Sequence, residues 1–385
     1  MKVACTVWIG GKNRDYFKVL PIDITVIVGM PGSGKTFAML NIAANCLGMG
    51  QRVIVLDPKD DFIKLYNVNK NVRIIDVKNI TPGALNPFKF LASIDKDGNE
   101  IKFSAASLLT ITEILVGQLD QETRTSITPY VRDYILEGEK NPDKTLNLQK
   151  YADFLLSREN AKCREIAQGL KIYEDYTYGK LLFTRDNVDT LDIKADESII
   201  ISFLGLPLPP SDRPASEYKT EDKFSAAILY IICSKLNQIL GTNDEYPTNL
   251  FCDEAHILFS NKDLASVIEN ILRLGRSRNI ATVLATQTIT NFPDSIMNSI
   301  STKFMFKSTL KDAQEFLERF DTSKFGGGDP IDVDSLLGQV TNFVTGQCFM
   351  IDRSNRNGII KIVSIYDPKL LTSNPFMKTE VKYDE

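Results

Sequence analysis

The 385 residues suffice for two domains, or for one large α/β domain with an insertion. With 43% hydrophobic and 24% charged side chains the chain can bury a core, and its net charge of −4 speaks against a strongly electropositive nucleic-acid binder. A single histidine argues against histidine metal sites and Ser-His-Asp chemistry, and the six cysteines form no CxxC pair, as expected of reduced, buried thiols.

In chain order, "IDITVIVGMPGSGKTFAMLNIAANCL" reads as strand, glycine loop and helix. "QRVIVLD" is a second β-branched strand ending at Asp57, "NVRIIDV" is a short third one, and "TPGALNPF" is a loop by its Pro and Gly. From about Ser93 to Tyr178 apolar residues recur at helical spacing, as in "AASLLTITEILVGQL" and "ITPYVRDYILEG", which predicts a mostly helical insertion. Alternation of strands and helices resumes with "SIIISFLGL", a Pro-rich loop, a helix from about Lys223 to Leu240 and the strand "TNLFCDE". "DLASVIENILRLGRS" is a helix, "IATVLATQ" and "ISTKFMFKS" are strands, "LKDAQEFLERF" is a helix, and "GQCFMID" with "GIIKIVSIY" predicts a terminal hairpin. The expected organisation is therefore residues 1–92 and 181–385 as two parts of one α/β core with a mainly parallel sheet, and 93–180 as the inserted helical domain. No signal peptide opens the sequence, and no uninterrupted apolar run approaches the roughly 20 residues of a membrane span. A cytoplasmic protein, at most peripheral to a membrane, is expected.

Gly29-Met30-Pro31-Gly32-Ser33-Gly34-Lys35-Thr36 matches G-x-x-x-x-G-K-[ST] in full, between a predicted strand and a predicted helix. In that context Gly29, Pro31, Gly32, Ser33 and Gly34 form a loop whose N–H groups curl around the phosphates of ATP, with Lys35, Thr36 and Phe37 opening the helix. Lys35 is expected to reach the β/γ oxygens and Thr36 to hold Mg²⁺. "LFCDE" is a Walker B strand: Asp253 is the second expected Mg²⁺ ligand, and Glu254 stands where a carboxylate can deprotonate the attacking water. The strand "TVLATQ" ends in Gln287, a candidate to sense the γ-phosphate or position that water. Arg273, Arg276 and Arg278 in "LRLGRSRN" read either as a solvated basic helix end or as an arginine finger aimed at a neighbouring subunit, with Arg276 and Arg278 ranked first. "DPKDDF", Asp57–Phe62, sits at a strand's carboxyl end and is equally readable as a contact to nucleotide, to a neighbouring subunit or to its own turn. His256 reads as a packing or polar-contact residue.

The letters "DEAH" at 253–256 suggest a helicase class, yet a second lobe with its own arginine motif is missing after Gln287, and "LSGGQ" of ABC ATPases is absent. The set as a whole resembles the conjugative ATPases of type IV secretion, the fourth protein of the VirB set and its TraC/TrbE relatives within the FtsK/HerA-like translocases. The resemblance rests on "GMPGSGKT", "LDPKDDF", "YGKLLF", "LFCDEAHILF", "LRLGRSRNIATVLATQTITNF" and "GQCFMIDRSNRNGIIKI", and covers roughly Asp23 to Ile365. It implies a RecA-like P-loop ATPase core with an all-α domain, a homo-hexamer with sites between subunits, and ATP hydrolysis at the cytoplasmic face of an export channel. It also implies other secretion components as partners, the coupling protein among them. Lys35, Thr36, Asp253, Glu254 and Gln287 map onto the family's motifs one by one, whereas "DPKDDF" lacks that family's Gly and Tyr. Full-length members carry a large N-terminal domain, so the chain is expected to be an excised ATPase portion. A DNA-translocating ATPase of the coupling-protein or HerA kind and a non-hydrolysing nucleotide switch are the competing readings.

Overall fold

The computed structural model describes residues 24–94, 100–101, 103–141, 145–184, 189–209, 213–242, 246–290, 292–320, 332–354, 356–364 and 366–376. Cys5 lies outside them. Strands in chain order are β1 (Ile24–Val28), β2 (Arg52–Asp57), β3 (Arg73–Asp76), β4 (Ser93–Ile94), β5 (Glu100–Ile101), β6 (Ile199–Ser202), β7 (Thr248–Cys252), β8 (Ile280–Thr286), β9 (Ile300–Phe306), β10 (Gln347–Ile351) and β11 (Asn357–Lys361). Helices are α1 (Lys35–Gly48), α2 (Pro87–Phe90), α3 (Ala105–Val116), α4 (Gln121–Lys140), α5 (Leu148–Leu156) and α6 (Ala161–Lys171). They continue with α7 (Thr220–Gly241), α8 (Lys262–Arg278), α9 (Asp294–Met297), α10 (Leu310–Arg319), α11 (Val333–Val340) and α12 (Pro368–Thr372).

Nine strands form one sheet in the order β11-β10-β9-β1-β8-β7-β2-β6-β3. All neighbours from β9 to β3 run parallel, and β10 pairs antiparallel with both β9 and β11. The period-2 alternation of the strands divides the core between the two faces. Val26, Val28, Ile54, Leu56, Leu250 and Cys252 pack on one side. Ile27, Val53, Val55 and Phe251 pack on the other, against Ala38, Met39, Ala43 and Leu47 of α1. Both faces being covered explains why the strand segments read as continuous apolar runs.

The helical stretch starts each of its helices with a side-chain cap: Ser104 for α3, Asp120 for α4, Asn147 for α5 and Asn160 for α6. Two short paired strands, β4 and β5, precede it. Its aromatic centre, with Tyr134 5.2 Å from Tyr151 and 5.6 Å from Phe88, belongs to the same continuous core as one face of the sheet. Phe224 of α7, fully buried, joins the two by packing 5.6 Å from Tyr173 and 5.2 Å from Tyr176. With 22 residues, α7 is longer than the apolar run suggests and is the one described helix long and apolar enough to cross a membrane. It packs against α3 and α8 with Phe224, Ile228, Ile231 and Leu236 fully buried, as a core helix does. Cys46, Cys163, Cys233, Cys252 and Cys348 are buried free thiols.

Candidate active site

The sheet order sets the site. β8 lies between β1 and β7, so the carboxyl ends of three adjacent parallel strands bring Gly29, Asp253 and Gln287 to one edge. The loop after β1 turns into α1 through Gly32 (φ 74°) and Gly34 (φ 106°), both in the left-handed region. A Cβ on Gly34 would approach Gly346 N to 2.9 Å, so backbone from the end of the chain seats directly against the loop. A Cβ on Gly32 would meet nothing within 4 Å. Gly346 N–H donates to Ser33 O at 2.9 Å. Met30, Pro31, Gly32, Ser33, Lys307 and the segment Asn342–Thr345 line an open cleft of about 470 Å³, within the usual range for a small-molecule site.

Lys35, 7% exposed, donates from Nζ to Gly29 O at 2.6 Å and to Met30 O at 3.1 Å. Burial lowers its pKa, against the opposing charges of Glu254 and Asp253. Its ammonium thus rests on carbonyls of its own loop, a contact an entering phosphate can replace. The Ser33 hydroxyl is buried and has no hydrogen-bond partner, a donor left for a ligand of the loop. Phe37, half-buried in the first turn of α1, contributes its carbonyl to Asn41 Nδ2 at 2.8 Å.

Thr36 Oγ1 donates to Asp253 Oδ2 at 3.4 Å. Burial and the charge of Glu254 raise the Asp253 pKa, which is the condition a cation would relieve. No cluster of three or more His, Cys, Asp or Glu side chains able to hold a metal occurs among the described residues. One hydroxyl and one carboxylate fit Mg²⁺ of the kind that keeps its waters and takes its remaining ligands from substrate phosphates.

Glu254 directly follows β7 in the left-handed conformation (φ 49°, ψ 46°), an unfavourable backbone for a non-glycine residue. Gln287 Nε2 lies 3.3 Å from both of its carboxylate oxygens. Lys59 Nζ pairs with Oε1. His256 Nδ1 lies 3.5 Å from Oε2 and 3.4 Å from Thr286 Oγ1. Burial would raise the Glu254 pKa, but the ion pair with Lys59, with help from His256 and Gln287, brings it below the usual carboxylate value. Burial holds His256 below the ordinary imidazole value, against the charge of Glu254.

Two parts of the site escape a sequence reading. Lys59 belongs to the turn "DPKDDF", whose role was open: Asp57 shapes the turn by accepting N–H bonds from Lys59 at 3.0 Å and Phe62 at 2.7 Å, and Lys59 reaches Glu254. The segment 342–345, more than 300 positions after the P-loop, carries no recognisable motif. The arginines stand elsewhere. Arg278 ends α8 and precedes the amino end of β8, about 20 Å of extended strand away from Gln287. Arg273 pairs with Glu269 at 3.3 Å, Arg278 is half-buried, and the side chain of Arg276 lies outside the described residues.

With this geometry in hand, a family profile for an AAA-like domain matches residues 22–373. The chain belongs to the AAA-like domain family. Two solved structures share this AAA-like fold. VirB4 of Thermoanaerobacter pseudethanolicus superposes with a TM-score of 0.66 at 14% identity, over 91% of this chain and 90% of that one. A bacterial conjugative coupling protein, TrwBΔN70 in its unbound form, gives 0.51 at 12% identity, over 89% and 85%. These likenesses are of fold, and they agree with the resemblance carried by the motifs. Among curated proteins the sequence finds no match.

Proposed function

We propose that the chain is a magnesium-dependent ATPase, the motor of a conjugative type IV secretion system that powers substrate transfer or channel assembly. The observation that carries this reading is the convergence of Lys35, Thr36, Asp253, Glu254 and Gln287 at the carboxyl edge of β1, β7 and β8. Lys35 and the N–H groups of Gly32–Lys35 bind and orient the β- and γ-phosphates of ATP. Thr36 and Asp253 would hold Mg²⁺, which neutralises charge on the phosphate oxygens. Glu254 takes the proton of the attacking water, and Gln287 orients that water. The fold it shares with VirB4 supports the secretion assignment. In the assembled machine we place it as a homo-hexamer at the cytoplasmic face of the membrane, with Arg276 and Arg278 available to a neighbouring subunit's site. Magnesium-dependent phosphate release from ATP tests this: Lys35→Ala is expected to abolish ATP binding and turnover together, and turnover undiminished in that variant contradicts the assignment.

A DNA-translocating ATPase is the second reading, favoured by the fold shared with the conjugative coupling protein. It requires turnover that rises with added DNA and loses that stimulation steeply with salt. Turnover indifferent to DNA at low salt removes it.

A further inference from the structure

The turn that follows β2 is built to present one side chain. Its backbone is tied by the Asp57 carboxylate to the N–H groups of Lys59 and Phe62. Phe62 is fully buried, and Asp60, left-handed at φ 61°, accepts from Ser202 Oγ of the neighbouring strand β6. Because β2 pairs with β7 in register Leu56↔Cys252, this turn lies beside the Walker B acidic pair. From it the Lys59 side chain, half in solvent, reaches a carboxylate that is only 7% exposed.

The two oxygens of Glu254 are not equivalent. The Gln287 amide lies 3.3 Å from both, but Oε1 alone carries the Lys59 ammonium, whereas Oε2 has an imidazole contact at 3.5 Å. Among the described residues Lys59 is the one lysine or arginine paired with Glu254, while Lys35 is engaged by Gly29 O and Met30 O. On the reading of Glu254 as the base, we propose that Lys59 is a positioning residue: it fixes Oε1 of Glu254 and leaves Oε2 as the oxygen that receives the water's proton. The proton passes from water to Oε2 as the water oxygen bonds to the γ-phosphorus and the bond from that phosphorus to the β,γ-bridging oxygen breaks, releasing ADP and phosphate. Lys59 keeps its proton throughout. The "DPKDDF" turn thereby acquires a role within its own subunit.

Misplacing a base by about an ångström lowers a rate by about 100-fold. Lys59→Met is therefore expected to lower kcat by about 10- to 100-fold with KM for ATP within about threefold of the wild type. Lys59→Arg, which keeps a cation at Oε1, is expected to recover most of that loss. Lys59 is half exposed, so the melting temperature of each variant is expected to match the parent; Lys59→Gln serves as a second neutral variant if Lys59→Met does not. An unchanged or raised kcat in the neutral variants, or a loss that Lys59→Arg does not repair, overturns the proposal. If the neutral variants keep full turnover while Glu254→Gln has none, the positioning role alone fails. If Glu254→Gln turns over like the wild type, the reading of the base fails and takes the positioning role with it.

Discussion

Gln287 Nε2 stands 3.3 Å from both carboxylate oxygens of Glu254, so the carboxyl ends of β7 and β8 meet directly beside the P-loop. The expected base and the expected phosphate sensor hold each other. Replacing Gln287 by Ala removes one orienting contact and leaves the P-loop intact. Turnover is expected to fall by about 10- to 100-fold while ATP-analogue binding stays within about threefold. Parallel losses in binding and turnover would mean that Gln287 holds nucleotide rather than water.

The end of the chain braces the loop. Gly346 has φ 82°, donates to Ser33 O at 2.9 Å and accepts from Ile362 N at 2.8 Å. A left-handed position disfavours an L side chain by about 1–2 kcal/mol. Gly346→Ala is therefore expected to lower the unfolding free energy by that amount and, since Ser33 and the 342–345 segment move with it, to raise KM for ATP more than it lowers kcat. Steady-state kinetics and denaturant unfolding on the same samples check both. A variant with wild-type KM would show that the C-terminal segment does not shape the nucleotide cavity.

Asp57 yields a pH prediction. Burial lifts its pKa from 3.8 to about 6, more than the N–H bonds from Phe62 and Lys59 lower it. A raised carboxyl pKa means that the folded chain holds this proton more tightly than the unfolded one. Its contribution to stability is then present below about pH 4 and lost as pH rises toward 6, on the order of 3 kcal/mol in all. Asp57→Asn carries no such proton, so relative to the wild type it should gain stability steadily across that window. Unfolding midpoints of the two proteins between pH 4 and 7 report the difference; parallel curves would contradict the assignment.

What was legible in the sequence follows from what is local. Gly29–Thr36 and Asp253–Glu254 are contiguous motifs, and their chemistry depends on a strand end that the apolar runs before them announce. Gln287 was legible too, because a strand after Walker B commonly inserts beside the P-loop strand, and the order β1-β8-β7 is the one found. Lys59 was not, although "DPKDDF" stood out. Its partner is 195 positions away, and their meeting depends on β2 lying next to β7. Asn342–Thr345 was invisible for the same reason: it is an ordinary turn that lies beside the P-loop because β10 pairs with β9. The helical stretch showed its period but not its packing. Only the structure reveals that Tyr134 and Phe224 share one core with the sheet.

Whether Glu254 is the base of an ATPase is read most simply from phosphate release by the wild type and by Glu254→Gln, measured side by side with ATP and Mg²⁺. Steady turnover is expected in the first and a loss of at least about 100-fold in the second, with ATP still bound. Equal turnover in the two proteins would contradict it.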